Sequence, residues 1–262
     1  MSIYISFLLF PTSLLLAITG ATFAIRHGTT LSLIPLAVTL VSFLVVIVAE
    51  RFIPRVGRPS ESGELKVDLG FAGLSAVVDA IVNPMLAGAV VLLAALLPTN
   101  LLSGLPLWAG SIGVLLVGGL GDYWAHRYAH EWRWWWKLHS VHHSPHRMVA
   151  TNNFRLHPID LALKLAFAMV PVLMLGFSTE ALAMAGAMKG LNIAFQHADI
   201  DLRHGFLNYI ISTNSVHRRH HSAIPAEANA NYSGILSLFD LIFRSYRVPA
   251  EHLNPQRIGL FK

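Results

Sequence analysis

Apolar runs long enough to cross a bilayer alternate with short polar stretches along most of this chain. A hydrocarbon core takes about 20 apolar residues of helix. Windows of that kind lie at 5–25, 31–53, 69–97 and 105–124, and a closer pair at 159–176 and 179–196 is joined by "GFSTE". The third window is long enough to tilt, and Asn83-Pro84 is expected to break it. The first, "ISFLLFPTSLLLAITGATFA", has no Lys or Arg before it and is longer than a signal-peptide core, so it reads as a transmembrane helix. Two polar stretches, 126–157 and 197–222, interrupt the pattern. The expected fold is an all-α, polytopic membrane helix bundle with a cytoplasmic, histidine-rich helical cap. It divides into N-terminal transmembrane helices over 1–121, a histidine-box region over 122–250 and a tail over 251–262. The second part contains a transmembrane or re-entrant pair at about 159–196.

Composition sharpens this picture. Charged residues make up 13% of the chain, about half the share usual in soluble domains. The absence of cysteine excludes disulfides, thiolate-held zinc, iron–sulfur clusters and a cysteine nucleophile. Cations mark one side. The segment after the second window holds Arg51, Arg55, Arg58 and Lys66, whereas the turns at 26–30, 98–104 and 176–180 hold Arg26 alone. An N-in arrangement with an even number of spans before each polar stretch puts every histidine cluster on the cytoplasmic face. The net charge of +5 then follows from orientation. It forms no stripe on a soluble domain, so no nucleic-acid partner is expected.

Fourteen histidines carry the candidate chemistry. His126 and His130 are spaced i,i+4, and His139, His142 and His143 are spaced i,i+3,i+4. His217, His220 and His221 repeat the second spacing. Such spacings put side chains on one helix face about 5–6 Å apart, and imidazole nitrogens bind transition metals at about 2.0–2.1 Å. Adjacent histidines diverge by about 100° on a helix of 3.6 residues per turn, so eight box histidines suit two neighbouring ions. His197 follows an otherwise apolar helix whose Lys189, Asn192 and Gln196 form one polar stripe. It reads as a ninth ligand or as a buried, hydrogen-bonded histidine. His157 reads as a further ligand or as part of a helix start. Asp122, one turn before His126, and Asp240 read as groups that orient ligand imidazoles or as ordinary polar residues; Asn192 joins them as a candidate. His146 and His204 are expected to be solvated or to support the ligands, and His27 and His252 to lie at the surface. The aromatic run "EWRWWWKLH" at 131–139 suits a headgroup-depth belt, close enough to the bilayer for a lipid to enter from the side.

HxxxH, then HxxHH, then a later HxxHH resembles the fatty acid hydroxylase/sterol desaturase superfamily of membrane di-iron oxygenases. "DYWAHRYAHEWRWWWKLHSVHHS" at 122–144 resembles its first two boxes, "NIAFQHADI" at 192–200 its Gln-His segment and "LNYIISTNSVHRRHHS" at 207–222 its third box. "NANYSGILSLFDLIFRSY" at 229–246 resembles the segment downstream, with Asn229 in place of an acid, Ser233 in place of Gly and Phe239 in place of Trp. The resemblance implies two iron ions held by His126, His130, His139, His142, His143, His217, His220 and His221, with His197 added. It implies O2 as cosubstrate and hydroxylation, in preference to desaturation, of a lipid C–H bond. The same ligands would also accept zinc in a purified sample. The chain carries no dinucleotide, haem-attachment or iron–sulfur motif, so a separate electron donor of the ferredoxin or cytochrome b5 type is implied. Arg147, Arg218 and Arg219 suit docking of that donor, or lipid contact. A bacterial inner membrane is favoured over the endoplasmic reticulum. The competing classes are a haem-binding electron-transfer protein and a metal-ion transporter.

Overall fold

A computed structural model of the protein describes residues 3–55, 63–94, 100–247 and 258–260. The chain runs through α1 (Ile3–Arg26), α2 (Leu33–Phe52), α3 (Gly63–Ala94), α4 (Leu107–Glu131) and α5 (Arg133–His139). A 3-10 turn at Ala150–Phe154 leads into α6 (Pro158–Leu175) and α7 (Thr179–Gln196). A second 3-10 turn at Gly205–Tyr209 precedes the short helices α8 (Asn214–His220), α9 (Pro225–Ala228) and α10 (Leu238–Ile242). Among the described residues, strand pairing is limited to isolated bridges such as Pro54 with Ile200. Arg58, His252 and all of the 251–262 tail except 258–260 lie outside the described residues.

Among the described residues, three helices are long and apolar enough to cross a membrane: Tyr4–Arg26, Leu33–Phe52 and Pro158–Leu175. The other three expected spans, α3, α4 and α7, have the length but carry polar groups. These include Asp68 and Asp79 in α3, Asp122 with two histidines in α4, and Lys189, Asn192 and Gln196 in α7. α3 also differs from expectation at Asn83-Pro84, where the helix continues unbroken over 32 residues. One proline removes one backbone hydrogen bond, which the turns on either side of a long helix can absorb.

α7 is the central post, packed against α1, α2 and α4, while α6 packs on α3 and α4. Small residues make this possible, as lipid-facing bundles generally require. Gly190 of α7 lies against Thr39 of α2, and Gly121 of α4 lies against the backbone of Phe167 in α6; neither position has room for a Cβ. The α6–α7 turn is built from local rules. Gly176 closes α6 in the left-handed region at φ +64°, and the Ser178 hydroxyl caps α7 by accepting from the Ala181 N–H at 3.2 Å.

The polar connections meet at one end of the bundle. Glu50, near the end of α2, accepts from the backbone N–H groups of Ala150 and Asp199, each at 2.8 Å. Asp68, in the first turns of α3, accepts from Thr151, Asn152 and Arg155 at 2.6–2.9 Å. At the C-terminal side, the Gly259 N–H donates to the His221 carbonyl at 3.2 Å. Every predicted histidine cluster lies in this end.

Candidate metal centre

Nine histidines converge into two groups. His126, His130, His139, His143 and His220 form one; His142, His197, His217 and His221 form the other. Within each group the ligand-capable nitrogens all lie within 4.8 Å of one another. α4 supplies the first pair through its i,i+4 spacing, α5 and the turn after it supply the next three, and α8 with its C-cap supplies the last three. The adjacent pairs divide: His143 and His220 go to the first group, His142 and His221 to the second. His197 joins the second group as the C-cap of α7.

The outward nitrogens of four of the five rings in the first group are tied to acceptors. His126 Nδ1 donates to the Tyr232 carbonyl and His220 Nδ1 to the Ala230 carbonyl, both at 2.7 Å. His139 Nδ1 lies 2.9 Å from Asp160 Oδ2. Asn229 accepts from His130 Nδ1 at 3.2 Å. Carbonyl and carboxylate oxygens can only accept, so in these four rings Nδ1 carries the proton and Nε2 presents a bare lone pair. Yet the Nε2 atoms of His126 and His139 face each other at 3.1 Å. His130 Nε2, His220 Nε2 and both nitrogens of His143 are buried and have no hydrogen-bond partner. Converging lone pairs in a buried site repel unless a cation lies between them.

The second group repeats the inward approach but not the outward ties, since the Nδ1 atoms of His142, His197 and His217 are buried without a hydrogen-bond partner. His217 Nε2 lies 3.0 Å from His197 Nε2 and 3.2 Å from His221 Nε2. Two nitrogens bound to one ion at about 2.0–2.1 Å stand about 2.9 Å apart in octahedral and about 3.3 Å apart in tetrahedral geometry. The observed separations fall between those two edge lengths. Burial is the main force pushing the histidine pKa values down, to about 3 for His197 and His220. His139, His142, His143, His217 and His221 are lowered for the same first reason. All are therefore held neutral, the form that binds a metal. The donor set fits a pair of transition-metal ions.

The supporting residues fall differently from the sequence expectation. Asp122 does not orient His126; its Oδ2 lies 3.9 Å from Lys189 Nζ and against Gly234. Asp240 stands one layer further out, accepting from the Tyr232 and Ser233 N–H groups at 2.8 and 2.9 Å. It thereby holds the loop whose carbonyls orient His126 and His220. Asn192 and Gln196 donate to the carbonyls of Ser212 and Gly234 and so fasten two loops to α7. His157 lies outside both groups and caps α6, its Nδ1 accepting from the Ile159 N–H at 3.2 Å. His204 is buried, 3.0 Å from Asn214 Oδ1 and edge-on to Phe10. His146 and His27 are exposed.

Sequence reading missed Asp160. Its two oxygens meet His139 Nδ1 and the Trp135 Nε1–H, the latter at 2.8 Å. It is fully buried near the start of an apolar helix, with Lys164 one turn on and 3.8 Å away. A lone acid in such a run was the available signal. The orienting carbonyls of Ala230 and Tyr232 leave no signal in side-chain identity. A cavity of about 160 Å³ opens on both groups, with His126, His142 and His217 in its wall beside Asp122, Lys164 and Lys189.

The family model for fatty acid hydroxylases matches residues 111–245. Ornithine lipid hydroxylase OlsE of Rhizobium tropici is 36% identical over 135 residues, 52% of this chain and 41% of that protein. Alkylglycerol monooxygenase of Danio rerio is 29% identical over 146 residues, 53% of this chain and 30% of that protein. The human alkylglycerol monooxygenase is 28% identical over 138 residues. The match thus spans less than half the length of these relatives. No solved structure matches the chain significantly.

Proposed function

The chain belongs to the fatty acid hydroxylase family, and from that premise we propose that it is a membrane-bound oxygenase that hydroxylates a lipid C–H bond. The overall balance is R–H, O2, two electrons and two protons giving R–OH and water. The observation that carries this reading is the pair of neutral imidazole groups with lone pairs turned inward at 3.0–3.2 Å. Two iron ions held there would supply reduction of O2 and removal of hydrogen from an unactivated carbon. The matched relatives are a lipid hydroxylase and monooxygenases named for alkylglycerols, which supports a lipid substrate.

The protein's own groups do the rest. Asp160 and the carbonyls of Ala230 and Tyr232 fix tautomer and ring orientation. Burial of the rings excludes water from the inner nitrogens. Electrons come from a separate donor of the ferredoxin or cytochrome b5 type, arriving on the polar end, which we place on the cytoplasmic side of a bacterial inner membrane. A haem reading fits poorly, because the histidines converge in two tight groups of five and four and not as one facing pair.

Metal content per chain tests the proposal. Protein purified without chelator is expected to hold about two metal equivalents, falling to one or fewer in His142→Ala/His220→Ala, which removes one histidine from each group. A haem spectrum, or one metal or none in the wild type, would sink it. With 18O2, an electron donor and membrane lipid extracts, the wild type is then expected to place one labelled oxygen in a lipid.

A further inference from the structure

A second cavity, of about 200 Å³, adjoins the histidine-lined one and shares Asp122, Met169 and Lys189 with it. Its remaining wall is apolar, with Val114 and Leu115 of α4, Leu173 of α6, Leu182 and Ala185 of α7, and Ile235. Val114 precedes Asp122 by eight residues, which at 1.5 Å per residue is about 12 Å along α4 away from the histidines. The space therefore runs from the metal-facing cavity towards the deeper part of the bundle. Its only charged side chains among the described residues are Lys189 and Asp122, at the neck.

That pair is unusual in its setting. An ion pair among apolar helices is costly and, where it occurs, tends to mark a functional site. Lys189 Nζ and Asp122 Oδ2 are 3.9 Å apart, too far for a hydrogen bond, so the ammonium keeps its donors for another group. A third of the Lys189 side chain is open, 34%, although its helix is the buried post of the bundle. The opening faces the two cavities. Asp122 is held in place because its Oδ2 fills the space a Cβ would take at Gly234. Lys164 lines the other wall of the histidine cavity but is engaged by Asp160 at 3.8 Å and His139 Nδ1 at 3.2 Å, which leaves Lys189 as the ammonium with donors to spare.

We propose that Lys189, set by Asp122, registers the substrate: it holds the oxygen-bearing end of an acyl chain whose tail lies in the apolar cavity. This rests on the lipid-oxygenase reading and deepens it. The chemistry recognised is a proton-accepting oxygen, carboxylate or acyl carbonyl, on a single hydrocarbon chain. With the oxygen at the neck and the tail directed away from the histidines, the C–H bonds presented to them are those near the polar end.

The test measures binding rather than turnover. Metal-loaded full-length protein is titrated with laurate and with dodecyltrimethylammonium, each displacing a fluorescent fatty acid. The wild type is expected to prefer laurate by about ten-fold or more, the scale of one charge-assisted hydrogen bond. In Lys189→Met that preference is expected to collapse towards one. Leu173→Trp, which fills the apolar cavity, is expected to weaken laurate while leaving octanoate nearly unchanged. If Lys189→Met loses its metal, Asp122→Asn/Lys189→Met removes both charges and carries the same comparison. A retained wild-type preference with metal content intact, or a Leu173→Trp variant with unchanged chain-length dependence, would overturn the inference. Selective laurate binding without oxygenation of any lipid would leave it standing and sink the functional reading instead.

Discussion

Asp160 is the side chain on which the orientation of His139 rests, through the 2.9 Å contact to Nδ1. Removing such an orienting carboxylate costs about 10–100-fold in metal affinity. Asp160→Ala is expected to show that loss in competition with a chelator, and Asp160→Asn, which keeps an acceptor, to recover part of it. Acidity acts on the rings themselves. His197 and His220 are held at about 3 by burial, against about 6.5 in an unfolded chain. Between those values the unfolded chain binds more protons, so stability rises with pH. The metal-free protein is therefore expected to lose Tm steadily as pH falls from about 6.5 towards 3. A flat Tm over that interval would show that these rings are not buried neutral.

At the scale of elements, α7 joins membrane packing to the site. Its small residues let α2 and α4 approach, and its polar stripe reaches the loops that carry or orient histidines. Gln196 Nε2 alone donates to the Ser212 carbonyl, the Ser212 hydroxyl and the Gly234 carbonyl at 2.7–3.2 Å. Gln196→Leu removes the shorter bonds and leaves the two carbonyls only the 3.2 Å contacts from Asn192, at about 1–3 kcal/mol. The expected outcome is a lower Tm with metal stoichiometry largely kept, since no histidine is removed. Gly190→Val is expected to be worse, because a branched side chain cannot fit against Thr39 without separating α7 from α2. It should reduce both folded yield and metal content.

For the whole molecule, the expected sidedness can be checked directly, because the chain has no cysteine. Single cysteines at the exposed positions Lys137 and Thr29 are expected to label from opposite faces of the membrane, Lys137 from the cytoplasmic one. Labelling of both from one face would overturn the topology. The sequence alone was enough to read an all-helical bundle, because bilayer-length apolar runs and the spacings HxxxH and HxxHH are local properties. It also marked eight of the nine histidines that converge, since imidazoles at i,i+3 and i+4 share a helix face wherever that helix goes, and it left His197 open between a ninth ligand and a buried histidine. Their division into groups of five and four depends on how α4, α5, α7 and α8 meet, and no local spacing contains that. The same holds for the groups that orient them. Asp160 reaches His139 across 21 residues, and the Tyr232 carbonyl reaches His126 across 106. A backbone acceptor has no signature in side-chain identity, and a carboxylate becomes a histidine's partner only when packing brings it within hydrogen-bond reach. Asp122 shows the converse: one turn from His126 in sequence, it is turned by the tertiary structure towards Lys189, because Gly234 leaves room for its carboxylate there.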